Sequence, residues 1–164
     1  MSALFEQAER ISRLSVRVSH NMRVAAIVQA VLPGLTTSQL QILSLINESG
    51  ETEVSMSEMA RELAVTTPSV TGLVDQLIRR GLVSRRHDDK DRRRVLVSLT
   101  DAGRKALDDV WEAIVDLVAR LLEGISEEDR ESLVTAAERV HALSLEIRNE
   151  EIAAVEARQG KRTA

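Results

Sequence analysis

Residues 66–100 read TTPSVTGLVDQLIRRGLVSRRHDDKDRRRVLVSLT, and two structural periods meet in this stretch. Val70, Leu73, Val74 and Leu77 stand at i, i+3, i+4 and i+7, the spacing of one buried helical stripe. Thr67 is the expected N-cap, with Pro68 in the first turn, where a missing N–H costs nothing. Gly81 closes the helix. Beyond it, residues 82–86 and 93–99 are short apolar or β-branched runs. The polar loop His87-Asp88-Asp89-Lys90-Asp91-Arg92 between them suits a hairpin. The segment therefore predicts a helix followed by an arginine-rich two-stranded wing.

Working upstream, Ser55-Met56-Ser57-Glu58 is a capping box that starts a helix ending near Leu63. Thr36-Thr37 opens another, with Leu40, Leu43 and Ile46 on one face. Leu4, Ala8, Ile11, Val18, Met22 and Ala25 predict one long helix over residues 3–31, ended by Pro33-Gly34. Downstream, Thr100 caps a long helix (Leu107, Val110, Ile114, Leu117, Leu121) that stops at Gly124. Ser126-Glu127-Glu128-Asp129 opens a last one (Leu133, Ala137, Val140, Ile147), which runs past Glu150, with Gln159–Ala164 frayed. Six glycines (34, 50, 81, 103, 124, 160) punctuate these segments, and only Gly72 sits inside an amphipathic pattern. The expected fold is mainly α with a small β-hairpin wing. A winged helix-turn-helix lobe spans residues 35–100, flanked by dimerisation helices in residues 1–34 and 101–164. A lobe of that size cannot cover the apolar stripes of all the long helices, so a two-fold partner is expected to.

Composition narrows the function. The chain has 164 residues, 43% hydrophobic and 29% charged, as an ordinary globular protein does. It holds no cysteine, which removes disulfides, Cys-ligated zinc and thiol redox sensing, and fits a reducing, cytoplasmic setting. Phe5 and Trp111 are the only aromatic residues, too few for a base-stacking platform. Trp111 is expected in the core. The first residues lack the basic and apolar run of an export signal. Val24–Asn47, the longest uncharged stretch, is broken by Pro33-Gly34 and is no membrane span. Phosphate-cradle and zincin motifs are missing, and no spacing pairs a nucleophile with a base, so the chain reads as a non-enzyme without cofactors.

Charge is unevenly placed. The net charge is −4, yet residues 61–105 hold eleven Lys/Arg against six Asp/Glu, a surplus of five that leaves the rest at −9. Local charge decides a binding face, and this one suits double-stranded DNA. A helix fits the major groove and reaches base edges from its N-terminal end. Thr67, Ser69, Thr71, Gln76 and Arg79 are the polar side chains available for this, with Pro68 in the first turn. The wing adds Arg86, Lys90, Asp91, Arg92, Arg93 and Arg94. Solvated surface residues with no partner are the bland reading of each taken singly.

Three stretches resemble the multiple antibiotic resistance regulator (MarR) family. They are Leu35-Thr36-Thr37-Ser38-Gln39-Leu40, then Val65–Asp75 with Arg80-Gly81-Leu82-Val83, and the wing from Asp89 to Gly103. The wing carries Asp91-Arg92-Arg93 and Leu99-Thr100-Asp101-Ala102-Gly103, similar to the family's Asp-x-Arg and Leu-Thr-x-x-Gly signature. The resemblance covers residues 35–103. It implies a homodimeric, triangular winged-helix regulator that binds a pseudo-palindromic operator and represses nearby genes. It also implies release by a small organic ligand seated between dimer region and lobe. Arg93 matches the wing-tip arginine that enters the minor groove, Asp91 the acid that steadies it, and Thr71 a contact position of the recognition helix. Gly72 and Gln76 depart from the pattern, since arginines often stand there. Two other readings stay open: a metal-responsive regulator of the same fold, using His20 and His141, and a helical protein-interaction adaptor that binds no DNA.

Overall fold

The structure, a computed structural model, describes residues 2–49 and 53–160, the last ten by backbone alone. Gly50, one of the punctuating glycines, lies outside the described residues, as do 161–164 of the expected frayed end. The elements are α1 (Ala3–Met22), α2 (Val24–Val31), α3 (Thr37–Glu48), β1 (Val54–Ser55), α4 (Met56–Glu62), α5 (Thr67–Arg79), β2 (Val83–His87), β3 (Val95–Leu99), α6 (Asp101–Leu122) and α7 (Glu127–Gly160). The fold is mostly helical with one small antiparallel sheet, as the sequence predicts. Contacts divide the chain into two compact units, Met1–Leu117 and Val118–Ala164, with the boundary inside α6.

Local chemistry accounts for most element starts. Thr36 accepts the Gln39 N–H while the Gln39 side chain accepts the Thr36 N–H, a complete capping box. Ser55 and Glu58 form the same box at α4. The cap of α5 is Thr66, one residue before the predicted Thr67. Ser69, three residues on, gives Thr66 both its backbone N–H and a hydroxyl partner, at 3.4 and 2.8 Å. Ser126 caps α7 through the Asp129 N–H at 3.2 Å.

The helix expected over residues 3–31 is broken at Arg23, which is left-handed at φ 49°. A left-handed non-glycine residue costs about 1–2 kcal/mol. The break lets Val28 enter the core, with Val24 and Val31 packed beside it, whereas α1 buries nothing. Apolar spacing alone reads straight through such a break.

The core of the first unit joins Val28 and Leu35 to Ile42, Leu43 and Ile46 of α3, Met59 of α4, and Val70, Val74 and Leu77 of α5. Val54 of β1, Ala60 of α4, Leu82, Val83 of β2, Val97 and Leu99 of β3 and Ala106, Leu107 and Val110 of α6 complete it. The core thus draws on residues either side of 35–100. Trp111 is 45% exposed, against expectation. It follows Val110 by one residue, so it stands about 100° around the helix from the buried stripe.

Strand order is β1-β3-β2, with Val54 opposite Val97 and Val83 opposite Leu99. The predicted hairpin is present, and β1 adds a third strand to it. Two residues are too few to show an alternating pattern, so the sequence carries no signal for β1. The sheet is tied to α6 by Thr100, whose hydroxyl donates to the Gly81 carbonyl at 2.7 Å and accepts the Gly103 N–H at 3.0 Å. A Cβ on Gly103 would stand 1.9 Å from the Leu82 carbonyl oxygen, so glycine is required for this approach.

Candidate nucleic-acid interface

Helix α5 is held by its buried stripe and leaves its other side open. The turn before it places Ala64 at φ 52° and closes with the Val65 N–H on the Ala60 carbonyl at 3.0 Å. Pro68, Ser69, Gly72, Gln76 and Arg79 are exposed, and Thr71 is half-buried. The Thr71 hydroxyl donates to the Thr67 carbonyl at 2.9 Å, which fixes its rotamer and spends its one proton, so the oxygen can only accept from a partner. Gln76 accepts a bond from the buried Gln39 at 2.8 Å. Arg79 has no partner among the described residues.

Between the start of α4, the Thr67–Thr71 flank of α5 and the wing lies a cavity of about 600 Å³. Ser55, Ser57, Thr67 and Thr71 line one side of it, and Arg85, Arg86, Arg93 and Arg94 the other. Every one of those arginines has a carboxylate partner. Arg85 donates to Asp75 at 2.6 Å. Arg86 grips Glu53 through two bonds, at 2.7 and 2.5 Å, and reaches Asp89 at 3.3 Å. Arg94 lies 3.4 Å from Glu58 and 3.9 Å from Asp88. The Arg86 hydrogen bond holds the Glu53 carboxyl below its ordinary range. Bonds from Ser55, its side chain first and its backbone N–H second, lower Glu58 in the same way. Exposed pairs of this kind add little stability, but they aim a guanidinium.

The wing tip differs. Arg93 donates to Asp91 from Nε at 3.1 Å and from Nη2 at 3.4 Å, and its backbone N–H adds a bond of 3.1 Å. Those bonds, the side-chain one first, keep the Asp91 carboxyl below its ordinary range. The Arg93 side chain is 92% exposed nonetheless. It is therefore oriented without being covered. Lys90 and Arg92 beside it make no side-chain bond among the described residues.

Of the twelve residues singled out from the sequence, the structure gathers Thr67, Thr71, Arg86, Arg93 and Arg94 around the cavity. Pro68, Ser69, Gln76 and Arg79 lie on the exposed part of α5, and Lys90, Asp91 and Arg92 on the wing loop. Gln39, Glu53, Glu58, Asp75 and Asp88 join the site without having been singled out. Glu53 and Glu58 are 33 and 36 residues from their arginines, and no pattern in the sequence links them. His20 and His141 are exposed. Among the described residues no cluster of three or more His, Cys, Asp or Glu could hold a metal ion, and no helix is long and apolar enough to cross a membrane.

A sequence profile described as "MarR family" matches residues 34–94. The HTH-type transcriptional repressor YetL of Bacillus subtilis is 32% identical over 62% of this chain and 60% of its own length. The match thus spans about three fifths of that relative. A crystal structure of a probable transcriptional regulator from Pseudomonas aeruginosa is 30% identical, with a TM-score of 0.56 over 76% of this chain and 93% of that one. A mutant of MepR from S. aureus, bound to an oligodeoxyribonucleotide, is 23% identical, with a TM-score of 0.62 over 80% of this chain and 96% of that one. At that identity the likeness shows the fold alone.

Proposed function

This chain belongs to the MarR family of winged helix-turn-helix transcriptional regulators, and from that premise we propose that it is a homodimeric, cytoplasmic repressor that binds double-stranded DNA. The observation that carries this reading is the wing tip, where a carboxylate orients Arg93 while leaving it 92% exposed. A narrow minor groove has enhanced negative potential, and an arginine already held in one orientation enters it with little further ordering. The exposed side of α5 enters the major groove, with Ser69, Thr71 and Arg79 toward bases and phosphates. Lys90 and Arg92, free of internal partners, take phosphates beside the wing. The paired arginines Arg86 and Arg94 shape the cavity wall and reach phosphate only by sharing with their carboxylates.

Residues 1–34 and 101–164, which flank the lobe of residues 35–100 in sequence, serve as dimerisation helices. In support, α1 leaves Leu4, Phe5, Ile11 and Val16 exposed, and α7 leaves Leu133, Val140, Leu143 and Ile147 exposed. Unpartnered apolar faces of this length mark an interface. Two-fold symmetry sets the recognition helices about one DNA turn apart, ~34 Å, on a pseudo-palindromic operator. A small organic effector that binds one lobe spacing better than the other releases the DNA.

Duplex binding at graded salt tests the reading. Contacts to ~6–10 phosphates give a log–log slope of roughly −5 to −9. Arg93→Ala weakens binding to every duplex, most of all those with A·T-rich minor grooves under the wing. Asp91→Ala also weakens binding, although it removes a negative charge. Tighter binding by Asp91→Ala overturns the orienting role, and no duplex binding at all leaves the protein-interaction adaptor as the reading.

A further inference from the structure

Gln39 on α3 is 2% exposed, yet both ends of its amide are bonded. Its Oε1 accepts the Thr36 backbone N–H at 2.9 Å. That contact assigns the amide: the carbonyl turns to the helix start, and Nε2 turns toward α5. There Nε2 lies 2.8 Å from Gln76. A primary amide nitrogen only donates, so the Gln76 atom facing it is the carbonyl oxygen. The Gln76 Nε2 is left with two hydrogens and no partner among the described residues, on an exposed side chain.

The position of Gln76 suits a reader. Ser69, Gly72, Gln76 and Arg79 recur at three- and four-residue steps on the exposed side, away from Val70, Val74 and Leu77. A Cβ on Gly72 would meet nothing within 4 Å, so one turn before Gln76 the helix surface is open. A duplex can approach closely there.

Resting on the DNA-binding reading above, we propose that Gln76 is a specificity residue that offers the major groove hydrogen-bond donors only. Glutamine ordinarily reads adenine by accepting from N6 while donating to N7. The bond to Gln39 occupies one lone pair of the Gln76 carbonyl and turns that oxygen toward α3, away from that paired contact. The side chain therefore selects a base edge made of acceptors: guanine N7 and O6, or thymine O4. Gln39 acts as a positioning residue, buried on the neighbouring helix and touching no base.

Selection of duplexes from a random library by the full chain tests this, repeated with Gln76→Ala, Gln76→Glu and Gln39→Met. Gln76→Glu keeps an acceptor for Gln39 and removes the donors. One position in each half-site is expected to carry guanine or thymine with the unmodified chain. Its preference drops about fivefold in Gln76→Ala and Gln76→Glu, the low end of what a paired base contact supplies. Gln39→Met, which releases the Gln76 carbonyl, admits adenine at that position, and thermal melting confirms that the variant folds. Should it not fold, Gln76→Glu decides alone. Adenine at that position with the unmodified chain, and lost affinity when its N6 amino group is removed, overturns the proposal. A consensus unchanged by Gln76→Ala overturns it too. If no duplex is retained at all, the DNA-binding reading falls and this inference with it.

Discussion

Helices α5 and α1 both carry apolar residues at three- and four-residue steps, yet they end in opposite surroundings. Val70, Val74 and Leu77 of α5 are fully buried, whereas Leu4, Phe5, Ile11, Val16 and Val18 of α1 are at least half exposed. The difference is in what lies opposite. The stripe of α5 faces α3, α4 and the sheet, all within the same unit. Nothing in the chain's core draws on α1. An amphipathic pattern thus specifies a face that needs a partner, and either the same chain or another can supply it.

Gly103→Ala breaks the buried side of this comparison most severely. Its new Cβ, fixed in place by the backbone, meets the Leu82 carbonyl oxygen at 1.9 Å, where no rotamer change relieves the clash. A loss of about 4 kcal/mol is expected, read by urea unfolding. A loss under about 1 kcal/mol would mean that α6 shifts freely along the sheet.

Leu77→Ala comes next, at about 3 kcal/mol, because a fully buried leucine leaves a cavity. Ile11→Ala sharpens the contrast. On an isolated chain an exposed isoleucine is worth within about 0.5 kcal/mol. In a dimer that covers α1, the loss depends on protein concentration, since association stabilises the folded state by mass action. Melting curves at two concentrations separate the cases: Leu77→Ala shifts both equally, and Ile11→Ala shifts mainly the concentrated one.

Acid gives the smallest effect. Glu58 is lowered by its bonds from Ser55, so the folded chain binds that proton less readily than the unfolded one. Its contribution is present above the ordinary carboxylate range and is lost as pH falls through the lowered value. Amide exchange in the first turn of α4 should accelerate there, and Glu58→Gln, which can still accept the Ser55 N–H, should remove the pH dependence. An unchanged pH dependence in Glu58→Gln would assign it to another group.

Much of the lobe was legible because its signals are local. The boxes at Thr36 and Ser55, the stripe of α5, the closing Gly81 and the hairpin each fit within a few residues. The wing tip was legible for the same reason, since Asp91 and Arg93 are two residues apart. Arg86 and Arg94 read equally well as free cations, but Glu53 and Glu58, brought beside them by the sheet and α4, claim both. The one-residue shift of the α5 cap reflects two adjacent threonines, either of which can accept a helix N–H.

The helices, the wing and the oriented arginine follow from neighbours along the chain, because capping, turn chemistry and apolar period act between residues close in sequence. Tertiary structure alone decided the break at Arg23, the pairing of β1 with β3, the exposure of Trp111, and which wing arginines keep an unclaimed charge. It also decided that Gln76 faces outward with its donors, since Gln39 stands 37 residues away. Each of these depends on which groups far along the chain are brought alongside and which are not, and that is settled only once the core has packed.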